Sequence, residues 1–316
     1  MRTLTLRELR IPFKGSFKHA AAERSVTQSV LVQAEGLGGG FGHGEGCPRE
    51  YVTGESIASA GAFFNAVRDE VAAIGGVGEL QSWVAANVSR IDANPAAWCA
   101  IELALLDVIG SEKNQSVESL LSLPPIAGPF QYTAVLGVET PEDFATQLER
   151  YLQIGFRDFK VKLSAELAAN QARLRALNAH AGAIASLRLD ANNLWESADV
   201  AGEHLRALDR CFYAVEEPLA VGDYRGLRQL SDAGGMKIIL DESFLRLEQL
   251  GQLQPLPGPW VINVRISKMG GLLRSLAVAR RAAELNLPII IGCQVGETSL
   301  LTRAALTLAE ASKGNG

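Results

Sequence analysis

Charged residues close a series of short apolar runs at nearly constant spacing. Lys162 closes Phe159-Lys-Val-Lys, Asp190 closes Leu187-Arg-Leu-Asp, Glu216 closes Ala214-Val-Glu, Asp241 closes Ile238-Ile-Leu-Asp and Arg265 closes Val261-Ile-Asn-Val-Arg; successive members lie 24 to 28 residues apart. Roughly 25 residues accommodate one strand, one helix and their connections. Apolar runs too short for helices that recur at this period read as buried parallel strands. The charged residues then collect at the C-terminal rim of one sheet, where a β/α barrel keeps its active site.

The pattern predicts strands at Tyr132–Gly137, Phe156–Leu163, Ser186–Asp190, Phe212–Glu216, Lys237–Asp241, Val261–Ile266 and Pro288–Gly292. Helical segments follow each of them, from Pro141–Ile154 to Ser299–Ala311. Prolines 124 and 125 stop any helix before this series and mark a boundary. The expected fold is α/β: a (β/α)7β-type TIM barrel over 126–316, preceded by an α+β capping domain over 1–125. A closed barrel has eight strands, and an open one leaves two edges unpaired. The last barrel strand and the C-terminal segment are therefore expected to be missing from the chain.

In the first part, Thr3–Pro12 and Val26–Glu35 alternate as strands do. Lys14–Ser25 between them reads as a polar loop carrying Phe17, His19 and Arg24, either a plain connection or a lid over a site. The glycine-rich run Gly36–Gly46 offers no phosphate-binding frame and precedes Cys47-Pro48 instead of a helix start, so a hairpin into a third strand is expected. A helix is predicted over Glu55–Glu70 with Thr53 as its cap, a second over Leu80–Val88, and a third opens at Pro95. Within that third helix Trp98, Glu102 and Asp107 read as packing and capping residues.

A net charge of −5 gives no basic footprint, so nucleic acid is not an expected partner. The four cysteines are scattered and form no CxxC pair, which predicts a reducing compartment without disulfides or a thiolate zinc site. No apolar run reaches about 18 residues and the N-terminus lacks a signal-peptide pattern, so no membrane association and a cytoplasmic location are expected. A homo-oligomer is left open.

Three carboxylates converging on one rim repel one another unless a cation lies among them. Asp190, Glu216 and Asp241 form a hard, all-oxygen donor set suited to Mg²⁺, with Mn²⁺ as the substitute. Strand alternation puts Lys160 and Lys162 on one face, Arg188 with Asp190, and Asn263 with Arg265. Lys268 and Glu217 have the opposite parity, which makes Glu216 the ligand. A lysine beside a second lysine and a dication has its ammonium form disfavoured and can serve as a general base. The expected substrate is a small-molecule carboxylate whose α-proton is removed to give a metal-stabilised enediolate.

Lys160-Val-Lys162, Asp190-Ala-Asn192 with Trp195, Glu216-Glu-Pro218, Asp241-Glu-Ser243 and Asn263-Val-Arg265-Ile-Ser-Lys268-Met-Gly-Gly271 together resemble the enolase superfamily. The similar branch is that of muconate lactonizing enzymes, o-succinylbenzoate synthases and dipeptide epimerases. The likeness covers nearly the whole chain, and the set is far more specific than any one motif. It implies Mg²⁺ on Asp190, Glu216 and Asp241, Lys162 as base, and Lys160 supporting the substrate carboxylate. It also implies a loop near Phe17–Arg24 that closes over substrate. Asn192, Asn263, Gln294 and Glu297 are expected to touch substrate. Arg188, Glu242 and Lys268 are expected to support these residues, and Cys293 to pack.

In that branch the sixth strand offers Asn-x-Lys, whose lysine serves the opposite face of the substrate. Here the position holds Arg265, whose guanidinium is a poor base and a good fixed cation. One-base chemistry is therefore the leading expectation: syn elimination or cycloisomerisation, as in o-succinylbenzoate synthases or acid dehydratases. The alternatives are an amino-acid or dipeptide racemase or epimerase, and a barrel that keeps the fold without turnover.

Overall fold

The computed structural model describes residues 1–19, 22–137, 140–208, 211–253 and 258–313, with the side chains of 14–24 excepted. The chain divides into two compact units: Met1–Gly128, Leu245–Gln252 and Asn263–Gly316 form one, and Pro129–Phe244 with Leu253–Ile262 the other.

In the first unit, β1 (Thr3–Leu9), β4 (Ser29–Glu35) and β5 (Phe41–Gly46) form an antiparallel sheet in the order β1-β4-β5. The segment expected to be a polar loop has instead the backbone of a hairpin, β2 (Pro12–His19) paired with β3 (Ala22–Val26). Its Phe-x-His and Glu-Arg-Ser-Val pieces alternate as strands do, and polarity alone does not distinguish an exposed hairpin from a loop. The helices here are α1 (Glu50–Thr53), α2 (Ile57–Val71), α3 (Val77–Ala86), α4 (Val88–Asp92), α5 (Pro95–Lys113) and α6 (Val117–Leu120). Ser56, not Thr53, caps α2: its hydroxyl accepts from Ser59 N while the Ser59 hydroxyl accepts from Ser56 N.

Helix α5 is the core of this unit, with Trp98, Ile101, Leu105 and Leu106 fully enclosed. Strand β5 lies directly on it. Gly42, Gly44 and Gly46 share one face of β5, and a Cβ on any of them would overlap the α5 backbone at Ala104 and Val108, at Ala100, or at Ala96. The glycine-rich run is thus a strand stripped of side chains on one face so that a helix can touch it.

The barrel-type sheet contains β6 (Thr133–Leu136), β7 (Asp158–Lys162), β8 (Ser186–Asp190), β9 (Ala214–Glu216), β10 (Lys237–Leu240), β11 (Trp260–Val264) and β12 (Ile289–Ile291). They lie side by side in chain order, and every pair from β6 to β11 is parallel. Helices α7 (Pro141–Ile154), α8 (Leu167–Asn178), α9 (Ala198–Arg206), α10 (Tyr224–Gly234) and α11 (Gln249–Leu253) separate the strands to β11. They are followed by α12 (Ile266–Met269), α13 (Leu272–Glu284) and α14 (Ser299–Ala311). Strand–helix alternation over a parallel sheet, with an α+β portion before it, is the fold class the spacing predicts.

Local chemistry sets the helix ends. The Thr140 hydroxyl accepts from Asp143 N, Pro141 opens α7, and Gly155 closes it in the left-handed region at φ 101°. Asp223 caps α10, which stops at Gly235. No helix among the described residues is long and apolar enough to cross a membrane.

Candidate active site

The register across β7, β8 and β9 puts Lys162 beside Asp190 and Asp190 beside Glu216 in one row, with Lys160 beside Arg188 two residues below. Side chains in register on neighbouring strands leave the same face. The Lys160 ammonium lies between two carboxylates, 2.9 Å from Asp190 Oδ2 and 3.1 Å from Glu216 Oε2. Lys162 Nζ donates to Asn192 Oδ1 at 2.9 Å and lies 3.7 Å from Asp190 Oδ2. Asp190 and Glu216 are each 2 % exposed, so each buried charge needs a partner of opposite sign, and Lys160 supplies one to both. Asn192 holds its amide over Lys162 from a left-handed backbone, φ 46°, which asparagine tolerates better than most residues.

Asp241 follows β10 and is buried, as is Glu242. The loop carrying both is fixed by Glu217, which faces away from Glu216 as the parity predicts. Glu217 Oε1 accepts from Asp241 N at 2.6 Å and from Ser243 N at 2.8 Å, and its Oε2 from the Ser243 hydroxyl at 2.8 Å and from Asn193 Nδ2 at 3.3 Å. Glu217 was legible only as the residue that does not point with Glu216. Its role as an anchor depends on backbone groups 24 and 26 residues away.

In the first unit, Arg265 Nη1 donates to Gln294 Oε1 at 2.8 Å, and the Gln294 backbone N–H donates to Glu297 Oε1 at 2.6 Å. Glu297 is half-buried; desolvation pushes its carboxyl up to about 8, against the Gln294 hydrogen bond that lowers it. Asn263 is buried with its amide against Gly292, where a Cβ would overlap it. Lys268 does not project with Arg265. It sits on α12, 1 % exposed, and donates to Asn263 O at 2.9 Å, holding the chain turn after β11. Cys293, expected to pack, is exposed. Phe17, His19 and Arg24 lie on the β2–β3 backbone, and their side chains lie outside the described ones. Arg188 shares the row of Lys160, with its Nε buried and no hydrogen-bond partner among the described residues.

Among the described residues, no three or more His, Cys, Asp or Glu side chains are gathered closely enough to hold a metal ion. The donor chemistry still suits a hard dication, because three buried carboxylates follow successive strand ends and two of them already grip a cation.

A β/α sheet with two lysines on one strand and carboxylates ending the next three is the arrangement of the enolase superfamily. Residues 143–315 match the family described as Enolase C-terminal domain-like, and the chain belongs to that family of enzymes. It is 27% identical over 314 residues to the hydrophobic dipeptide epimerase of Enterococcus faecalis, with 98% of this chain and 86% of that protein aligned. It is 30% identical over 312 residues to the L-Ala-D/L-Glu epimerase of Escherichia coli, covering 98% of this chain and 90% of that one. The solved structure of the Enterococcus faecalis dipeptide epimerase, complexed with Mg and the dipeptide L-Leu-L-Tyr, superposes with a TM-score of 0.85 at 25% identity, covering 98% of this chain and 87% of that one.

Proposed function

We propose that this enzyme removes the α-proton of an amino-acid-derived carboxylate, a dipeptide being the favoured class, and inverts that centre as an epimerase. The observation that carries the reading is the convergence of Lys160 and Lys162 on Asp190, Glu216 and Asn192 at the ends of three adjacent strands. The relatives that align over nearly the whole chain are epimerases, which favours this reading over the one-base elimination expected from Arg265 alone.

Asp190, Glu216 and Asp241 would hold Mg²⁺. When bound there, it would supply the Lewis acidity that lets an amine base take the α-proton of a carboxylate. Lys162 Nζ takes the α-proton when one antipode is bound and gives a proton to that same face when the other is, with Asn192 Oδ1 fixing the direction of the nitrogen. Lys160 gives a fixed positive charge for the substrate carboxylate. On the opposite face position 265 offers an arginine, a poor base, and Lys268 is turned onto Asn263 O, so the proton for that face is exchanged with water.

A dipeptide library incubated in D₂O with Mg²⁺ tests the reading. Deuterium should enter the α-position of both antipodes of at least one member, and chelation should abolish it. The second reading, one-base elimination or cycloisomerisation, rests on Arg265 and would show as exchange in one antipode only or as loss of water. Absence of exchange in every dipeptide and N-acyl amino acid tried would overturn the proposal.

A further inference from the structure

Arg49 follows β5 and is wholly buried, and its guanidinium binds backbone carbonyls. Its four described bonds all go to backbone carbonyls. Nη1 donates to Gln28 O at 2.9 Å and Pro48 O at 2.7 Å. Nη2 donates to Thr27 O at 3.2 Å and Val295 O at 2.6 Å. Two segments distant from Arg49 in sequence, residues 27–28 and Val295, therefore meet on one planar cation that also binds the carbonyl of its own neighbour Pro48. A guanidinium can satisfy such a fork, whereas an ammonium offers no fixed plane of donors.

The acceptors are not incidental. Val295 is the neighbour of Gln294, the residue that receives Arg265 Nη1. The same short segment is gripped twice more. Glu45 accepts from Thr298 N, at 3.0 Å to each carboxylate oxygen, and from the Thr298 hydroxyl at 2.6 Å. Gly296 sits at φ 90°, and a Cβ there would come within 3.0 Å of Thr27 O and of the Phe13 ring. On the other side, Thr27 and Gln28 immediately follow β3, and Gln28 is held in the left-handed region at φ 50°. A non-glycine residue in that region costs energy that its surroundings must offset, and Arg49 binds its carbonyl.

From this geometry we infer that Arg49 is a positioning residue. It sets the 294–298 segment against residues 27–28 and thereby fixes, through Gln294, the direction of the Arg265 guanidinium. The inference rests on the proposed α-proton chemistry only for its kinetic consequence; the structural part stands without it.

The test uses the full chain with Arg49→Lys, Gln294→Ala and the double variant, read by hydrogen–deuterium exchange mass spectrometry and by dipeptide turnover. Arg49→Lys should speed amide exchange in the peptide spanning 293–298 by about 10-fold or more while the β7–β9 peptides stay unchanged. It should lower kcat by about 10-fold with KM little changed, because a misaimed cation weakens charge stabilisation more than binding. In the Gln294→Ala background the same substitution should add less than about 2-fold, since both act through one path. Unchanged protection of 293–298 in Arg49→Lys overturns the inference, as do kinetic effects that simply multiply in the double variant. If Arg49→Lys does not fold, Gln294→Ala with Glu45→Gln replaces it, and lack of coupling between those two overturns the inference equally. Should the wild type turn over no dipeptide, the proposed function fails, and the exchange measurement alone still decides whether Arg49 orders the segment.

Discussion

At position 265 the chain carries a cation that does not give up its proton near neutral pH. Arg265→Lys should therefore raise deuterium entry into the antipode that the wild type exchanges more slowly, read by chiral separation of the product pool. Lys162→Ala should lower exchange by about 100- to 10,000-fold, the span general bases contribute. Glu102 makes a prediction of another kind. Desolvation inside α5 pushes its carboxyl up to about 7, even though Leu273 N and Trp98 Nε1 donate to it. The folded protein thus holds this proton more tightly than the unfolded chain, whose glutamate titrates near 4.5. The stabilisation is fully present below the unfolded value and is lost as pH rises through about 7. The loss is at most roughly 3 kcal/mol, and Glu102→Gln should flatten that part of a denaturation-versus-pH curve.

Strand β5 tolerates little added bulk on the face that meets α5. Gly44→Ala puts a methyl group into the α5 backbone at Ala100 and should cost about 1–3 kcal/mol or more, seen as a lowered midpoint in chemical denaturation. The glycine run was legible as a strand but not as a contact surface. The alternation Gly42, Gly44, Gly46 carries the signal, yet only the helix lying on it supplies the meaning. The barrel strands were legible to within a few residues, because apolar runs, capping residues and prolines are local. The row Lys162, Asp190, Glu216 was equally readable, since register follows from strand ends. Glu45, Arg49 and Glu217 were not, because each bonds backbone groups whose nearness no local pattern encodes. The β2–β3 hairpin was missed for a plainer reason: a short polar strand and a polar loop have the same composition.

At the scale of the whole molecule, residues 263–316 belong to the same compact unit as residues 1–128. Glu45 closes on Thr298, Arg49 on Val295, and Glu102 on Leu273, each across more than 150 residues of chain. A fragment ending at Gly128 would leave each of these three buried groups short of its partner beyond residue 263, so it should show a less cooperative thermal transition than the full chain. Synthesis meets the same constraint in time. A nascent chain grows by about 5–20 residues per second. Glu45, Arg49 and Glu102 must therefore wait for their distant partners until the segments past residue 263 have left the ribosome, and chaperone binding to the early chain should concentrate on the N-terminal sheet and helix α5.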